Sequence, residues 1–198
     1  SSNIFGKSKK KRQNEKDIFS PLSIYALGKV TAYYACQMYR EVYGMKIYGA
    51  IFFNHESEIR AEEYVTRKIT KSVARIFCGK QSELHLGDIK AKIDWGYAKD
   101  YIKAAYNIMQ LSKPDVFVIG SGKSYTVEYF VKKCFQYVGL NYKKYLKINK
   151  KLIRLSKTTS LLADTSKAKK AFNFEIDTKL DKLISIMMEN DLKIESNK

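Results

Sequence analysis

Two short apolar runs limit what this chain can fold into. Lys46 to Phe53 (KIYGAIFF) and Val116 to Ile119 (VFVI) are too short for buried helices and lack the alternation of a strand with one wet face. Each reads as a strand buried on both sides. Helix-patterned segments precede and follow both runs, and strands alternating with helices specify an α/β fold built on a parallel sheet.

The remaining elements follow from local signals. Ser20-Pro21 reads as an N-cap and first helical residue, opening a helix over 21–43 that Gly44 ends. A second helix is predicted over 62–77, with Val65, Ile69, Val73 and Ile76 on one face and basic residues on the other. Leu84 to Leu86 reads as a short strand. Helices are predicted over 98–111, 126–138, 166–172 and 177–192. The last carries Leu180, Leu183, Ile184, Met187, Met188 and Leu192 as a core stripe. The basic stretch 141–157 is poorly patterned and reads as an irregular arm or a partly ordered loop. Residues 1–19 read as a turn and polar loop.

With 198 residues the chain suits one domain, or most of one. It has no run of 18 apolar residues and no apolar leader, so no membrane partner is expected. Cys36, Cys78 and Cys134 form no CxxC pair and read as reduced, core-type cysteines of a cytoplasmic protein. The net charge of +17 admits two readings, a polyanion-binding protein or a lysine-rich solvated surface. The 31 lysines against 6 arginines favour the second, because arginine is the better bidentate phosphate ligand. Only Lys7 to Arg12 and the 143–157 region are dense in charge, and no nucleic-acid partner is favoured.

Familiar motifs fail on spacing. Gly120-Ser121-Gly122-Lys123-Ser124 follows a strand, but a phosphate-binding P-loop needs a glycine where Phe117 stands, so a tight turn is expected. His55 and His85 have no second ligand at helical spacing, and no metal site is expected. No G-x-S-x-G elbow is present.

One chemical pair stands out. Tyr25 and Lys29 are four residues apart on a helix and share a face, where a lysine charge can poise a phenol for proton exchange. With 15 tyrosines and this much lysine, roughly two such matches arise by chance, and Tyr64/Lys68 and Tyr129/Lys133 are two more. Context selects the first pair, which alone follows a Ser-rich turn, Ser1-Ser2-Asn3. Asn54-His55-Glu56-Ser57, at the carboxyl end of the first strand, is where ligands of open α/β sheets gather.

Several ordered strings resemble one family. They are Ser1 to Gly6, Tyr25-Ala26-Leu27-Gly28-Lys29, Tyr39-Arg40-Glu41, Phe53 to Ser57, Val65 to Ile69, Asp94 to Tyr101, Phe117 to Ile119 and Asp164 to Ala168. Together they resemble the extended short-chain dehydrogenase/reductases of nucleotide-sugar metabolism, and among these the GDP-mannose 4,6-dehydratases of GDP-fucose biosynthesis. The resemblance implies a partial Rossmann-like, doubly wound sheet with a small mixed α/β substrate region. Residues 1–53 would close the NADP-binding part, and 54–198 would mainly hold the nucleotide sugar. It further implies that Tyr25 exchanges a proton with the sugar 4-hydroxyl during hydride transfer to NADP, that Lys29 holds the nicotinamide ribose, and that Ser1 bonds the same sugar oxygen. His55 and Arg60 match cofactor contacts; Asn54, Lys68 and Arg154 match contacts to the nucleotide or its phosphates.

Departures from the pattern carry their own expectations. Asn3 stands where the family's dehydratases have a glutamate that removes a proton beside the transient ketone, and an amide cannot take that proton. Ile93, Glu58, Ile59 and Lys157 also depart from the family. No glycine-rich dinucleotide fingerprint occurs in these residues. The chain is therefore expected to be the carboxyl-terminal half of such an enzyme, truncated or served by a separate amino-terminal half, and homo-oligomeric when complete. A reductase or epimerase that needs no glutamate, and a catalytically dead paralogue, stand as alternatives.

Overall fold

A computed structural model describes residues 1–153 and 160–197. After a 3-10 turn at Ser2–Phe5 come α1 (Ile24–Tyr43), β1 (Gly49–Phe52), β2 (Asn54–Glu56), α2 (Val65–Phe77), β3 (Leu84–Leu86), β4 (Lys92–Ile93) and β5 (Trp95–Tyr97). Then follow α3 (Ala98–Met109), β6 (Val116–Ile119), β7 (Tyr125–Thr126), α4 (Val127–Tyr137), α5 (Tyr142–Tyr145), β8 (Leu146–Ile148), a 3-10 turn at Lys150–Leu152, α6 (Ser166–Phe172) and α7 (Leu180–Ser196). The described residues fall into two units. One comprises 1–55, 93–124 and the described part of 156–177; the other comprises 56–92, the described part of 125–155 and 178–197.

The first unit is built on the parallel pair β1–β6, in register from Gly49 opposite Val116 to Phe52 opposite Ile119. Strand geometry sends alternate side chains to opposite faces. Val116 and Val118 join Ile51, Phe53, Ile4, Phe5 and Ala163 in one core, with Val30 and Tyr33 of α1 against it. Phe117 and Ile119 join Tyr101, Ala104 and Ile108 of α3 and Ala168 of α6 in a second. The sheet is thus covered on both faces, as a parallel sheet requires. The polar loop after the first turn is fixed as well: the Glu15 carboxylate accepts the Val118 N–H at 2.6 Å, and Gln13 pairs in parallel with Ala163.

In the second unit α2, α4 and α7 pack on one another, and β3 pairs in parallel with β8. The apolar stripe of α7 buries Leu180, Leu183, Ile184, Met187 and Met188. It continues not through Leu192, which is only half-buried, but through Asp191 and Glu195, both buried. These carboxylates meet the supposed solvent face of α2: Arg67 pairs with Asp191 at 2.7 Å and Arg75 with Glu195 at 3.3 Å.

Several sequence expectations need correction. Helix α1 starts at Ile24, capped by Ser23, whose hydroxyl accepts the Ala26 N–H at 3.1 Å; Ser20-Pro21 lies before it. Arg67 and Lys71 of α2 are buried rather than solvated. Part of the stretch expected to be irregular forms α5 and β8. Cys134 is buried, but Cys36 is exposed on α1 and is not a core residue.

Candidate active site

The turn carrying Ser1 and Asn3 is anchored by its neighbours. Ile4 and Phe5 are buried, and Ser20 N–H donates to the Ile4 carbonyl at 2.9 Å. Gly6 ends the turn at φ +47°, where a Cβ would fall 1.6 Å from the Ser20 carbonyl oxygen. Only glycine fits there. The Ser1 hydroxyl oxygen accepts the Asn3 N–H at 3.4 Å, and the Asn3 side chain is exposed.

This turn packs against α1, which carries Tyr25 and Lys29. The Lys29 ammonium lies 5.5 Å from the centre of the Tyr25 ring, and Tyr25 is 57% exposed. Lys29 is also within electrostatic reach of Ser1. The first unit therefore brings Ser1, Asn3, Tyr25 and Lys29 together on neighbouring elements.

The other two Tyr/Lys pairs are otherwise engaged. Tyr129 donates to one Asp181 oxygen at 2.9 Å, and Lys133 donates to the other at 2.8 Å. Burial and the Asp181 carboxylate both push the Tyr129 phenol up, opposite to what a proton-exchanging tyrosine needs. Tyr64 lies under the Arg60 guanidinium, 3.5 Å from the ring centre to Cζ.

Asn54 and His55 also belong to the first unit. His55 Nδ1 is 2.9 Å from the Phe53 carbonyl oxygen, which can only accept, so Nδ1 carries the hydrogen. The ring packs between Phe52 and Tyr101, at 5.5 and 5.2 Å. Tyr101 is fully buried and donates its hydroxyl to the Asn54 carbonyl at 3.4 Å. Sequence reasoning assigned Tyr101 no role; its signal was its place at the end of the Asp94 to Tyr101 string.

The glycine turn after β6 receives a protein carboxylate. Buried Asp94 accepts N–H groups from Ser121 at 2.8 Å, Gly122 at 3.0 Å and Ala163 at 3.1 Å, and the Ser121 hydroxyl at 2.5 Å. This is the tight turn expected, its amides already satisfied by Asp94.

Arg60 and Lys68 lie in the second unit. Arg60 Nε is 3.3 Å from Glu56 Oε2, yet it is buried and lacks an aligned hydrogen bond. Glu56 accepts the Thr66 hydroxyl at 2.6 Å; burial pushes its carboxyl up, and Thr66 and Arg60 work against that. With Nε turned to Glu56 and one face on Tyr64, the side chain stays about a third exposed, a fixed guanidinium of the kind that suits a phosphate-bearing cofactor. Lys68 lines a cleft of about 70 Å³ with Glu62, Lys71, Ser72 and Arg75. That is room for about two waters, not for a nucleotide. Arg154 and Lys157 lie outside the described residues. Among the described residues no helix is long and apolar enough to cross a membrane.

Comparison with known proteins gives this geometry its setting. The family model for GDP-mannose 4,6 dehydratase matches residues 1–187. The chain is 41% identical over 194 residues to GDP-mannose 4,6 dehydratase 1 of Arabidopsis thaliana, covering 98% of this chain and 54% of that protein. To the Homo sapiens GDP-mannose 4,6 dehydratase it is 33% identical over 210 residues, 98% of this chain and 56% of the relative. In fold it is similar to RMD from Pseudomonas aeruginosa complexed with NADPH, with a TM-score of 0.90, 16% identity, and coverage of 98% of this chain and 65% of that one. It is also similar to dTDP-glucose 4,6-dehydratase from Bacillus anthracis in complex with NAD, with a TM-score of 0.84, 18% identity, and coverage of 100% and 60%. These likenesses establish a Rossmann-like α/β fold. The chain spans about half the length of the curated relatives it matches. On the match over residues 1–187, the chain belongs to the GDP-mannose 4,6-dehydratase family.

Proposed function

We propose that this chain supplies the proton-transfer and nucleotide-sugar residues of a GDP-mannose 4,6-dehydratase-type reaction, in which hydride transfer is retained and elimination of water is impaired. The observation that carries this reading is the Tyr25–Lys29 pair on one face of α1, beside the Ser1–Asn3 turn. The Tyr25 hydroxyl takes and returns the proton of the sugar 4-hydroxyl. Lys29 holds the ribose next to the reacting carbon. Ser1 donates a hydrogen bond to the same sugar oxygen. NADP, when bound, supplies the hydride acceptor and donor. Arg60 fits a phosphate of that cofactor, because Glu56 and Tyr64 fix its plane while its side chain stays about a third exposed. The His55 ring, oriented by Phe53 and Tyr101, is its second contact. By the family resemblance Asn54, Lys68 and Arg154 contact the nucleotide sugar, although the cleft that Lys68 lines is itself too small to hold a nucleotide. Residues 1–53 close the cofactor-binding part, and 54–198 mainly hold the sugar nucleotide.

Asn3 sets the limit on this chemistry. Forming the 4-keto sugar acidifies the adjacent C–H, and water leaves only when a base removes that proton. An amide has no basic lone pair at neutral pH to receive it. The same residue favours a second reading, a nucleotide-sugar reductase or epimerase that uses Tyr25 and Lys29 without a carboxylate. Full-length protein mixed with GDP-mannose and NADP tests the shared step through NADPH absorbance. Tyr25→Phe should cut its appearance about 100-fold or more. An unchanged rate would remove Tyr25 from the reaction.

A further inference from the structure

In the second unit, Arg67 and Asn190 both donate to the backbone of one short turn. Asp191, near the end of α7 and 1% exposed, receives Arg67 Nε at 2.9 Å on one oxygen and 3.1 Å on the other, and Nη2 at 2.7 Å. The Thr70 hydroxyl donates to Asp191 at 2.6 Å. With its fork held this way, Arg67 sends Nη1 to the carbonyls of Glu58 and Arg60, the latter at 3.1 Å. Asn190 adds a second donor to the Glu58 carbonyl at 3.3 Å. Residues 57–60 close on themselves through Arg60 N–H to the Ser57 carbonyl at 3.1 Å.

Two neighbouring residues of α7 and one of α2 therefore fix the backbone that presents Arg60, while Glu56 and Tyr64 fix its side chain. A contact group is only as well placed as its supporting shell. Without the Asp191 charge, Arg67 is a buried guanidinium lacking its counter-ion, and its hold on those carbonyls weakens. We propose that Asp191, acting through Arg67, is a positioning residue that sets the 57–60 turn and with it the Arg60 guanidinium. This inference rests on the reading of Arg60 as a cofactor contact.

Two measurements on the full chain test it. The first is amide hydrogen exchange. Asp191→Asn should speed exchange of the Arg60 N–H about tenfold relative to the amides of α2, and Asn190→Ala, which strands no charge, should speed it by less. The second is the Kd for NADP. Arg60→Ala and Asp191→Asn should each weaken binding about tenfold, and the double variant should bind no more weakly than Arg60→Ala alone. Independent, multiplying losses would overturn the proposal, since a merely structural Asp191 would act regardless of Arg60. Unchanged exchange at the turn in Asp191→Asn and in Asn190→Ala would also overturn it. If Asp191→Asn fails to fold, exchange in Asn190→Ala decides. If Arg60→Ala leaves NADP binding unchanged, the reading of Arg60 falls, and the exchange experiment still judges the turn.

Discussion

Asp94 accepts both the backbone N–H and the hydroxyl of Ser121, at 2.8 and 2.5 Å, from a fully buried position. With Gly122 and Ala163 also donating, one carboxylate ties the start of β5 to the turn after β6 and to the segment before α6. Burial alone pushes the Asp94 carboxyl up, and these hydrogen bonds oppose that. Asp94→Asn turns an amide NH2 toward N–H donors and should cost about 3 kcal/mol or more. Gly120→Ala should be damaging in the same place, because its Cβ would meet Ala163 Cβ at 2.4 Å and Asp94 Oδ2 at 3.2 Å. Overpacking of that kind costs about 1–3 kcal/mol. Chemical denaturation of both variants measures these losses; wild-type stability in Asp94→Asn would show that the node carries little.

The tyrosine–lysine pairs separate by what else they touch. Tyr129→Phe loses its bonds to the half-exposed Asp181 and to Lys133, so it should leave NADPH formation unchanged and alter stability by no more than about 1 kcal/mol. The same substitution at Tyr25 should cut NADPH formation about 100-fold or more and leave stability nearly intact. Paired kinetics and thermal melts check both halves of that contrast, and equal kinetic losses in the two variants would erase it.

Thiol chemistry should follow burial. Burial pushes the Cys134 thiol well up, with the Asp191 charge adding to it, whereas Cys36 is exposed on α1. A thiol whose folded pKa is raised contributes its full stability below the unfolded value of about 8.5 and loses it as pH climbs beyond. The protein should therefore weaken above about pH 8.5, and Cys134→Ala should flatten that decline. Iodoacetamide should label Cys36 in the native chain and reach Cys134 only on unfolding. Rapid native labelling of Cys134 would contradict the buried assignment.

What could be read in the sequence was local. The β1 and β6 runs are apolar on both faces, and the structure covers both faces of their sheet. Gly44 ends α1 in the left-handed conformation, as the sequence signals. The errors came from partners distant in the chain. Arg67 and Lys71 looked solvent-facing because a helical wheel counts charges as exposed; Asp191, the carboxylate that buries Arg67, is 124 residues away. Residues 146–148 lack strand patterning because their pairing is supplied by β3. The start of α1 was misplaced by a Ser-Pro signal when Ser23, three residues on, makes the capping bond. In the candidate site, residue types and spacing pointed to Tyr25, Lys29 and the Asn54–His55 pair. The parts that hold such groups, Tyr101 under His55 and Glu56 beside Arg60, appear only once side chains are in place.

Asn3 decides whether water is eliminated, and a product assay tests that most directly. Full-length protein and its Asn3→Glu variant should be incubated with GDP-mannose and NADP, and the 4-keto-6-deoxy sugar nucleotide followed with time. Asn3→Glu places a carboxylate on the exposed turn that packs against α1 and should raise the rate of elimination about 100-fold. The wild-type chain should form NADPH with little of that product. Wild-type turnover equal to that of Asn3→Glu would contradict the claim that elimination is impaired.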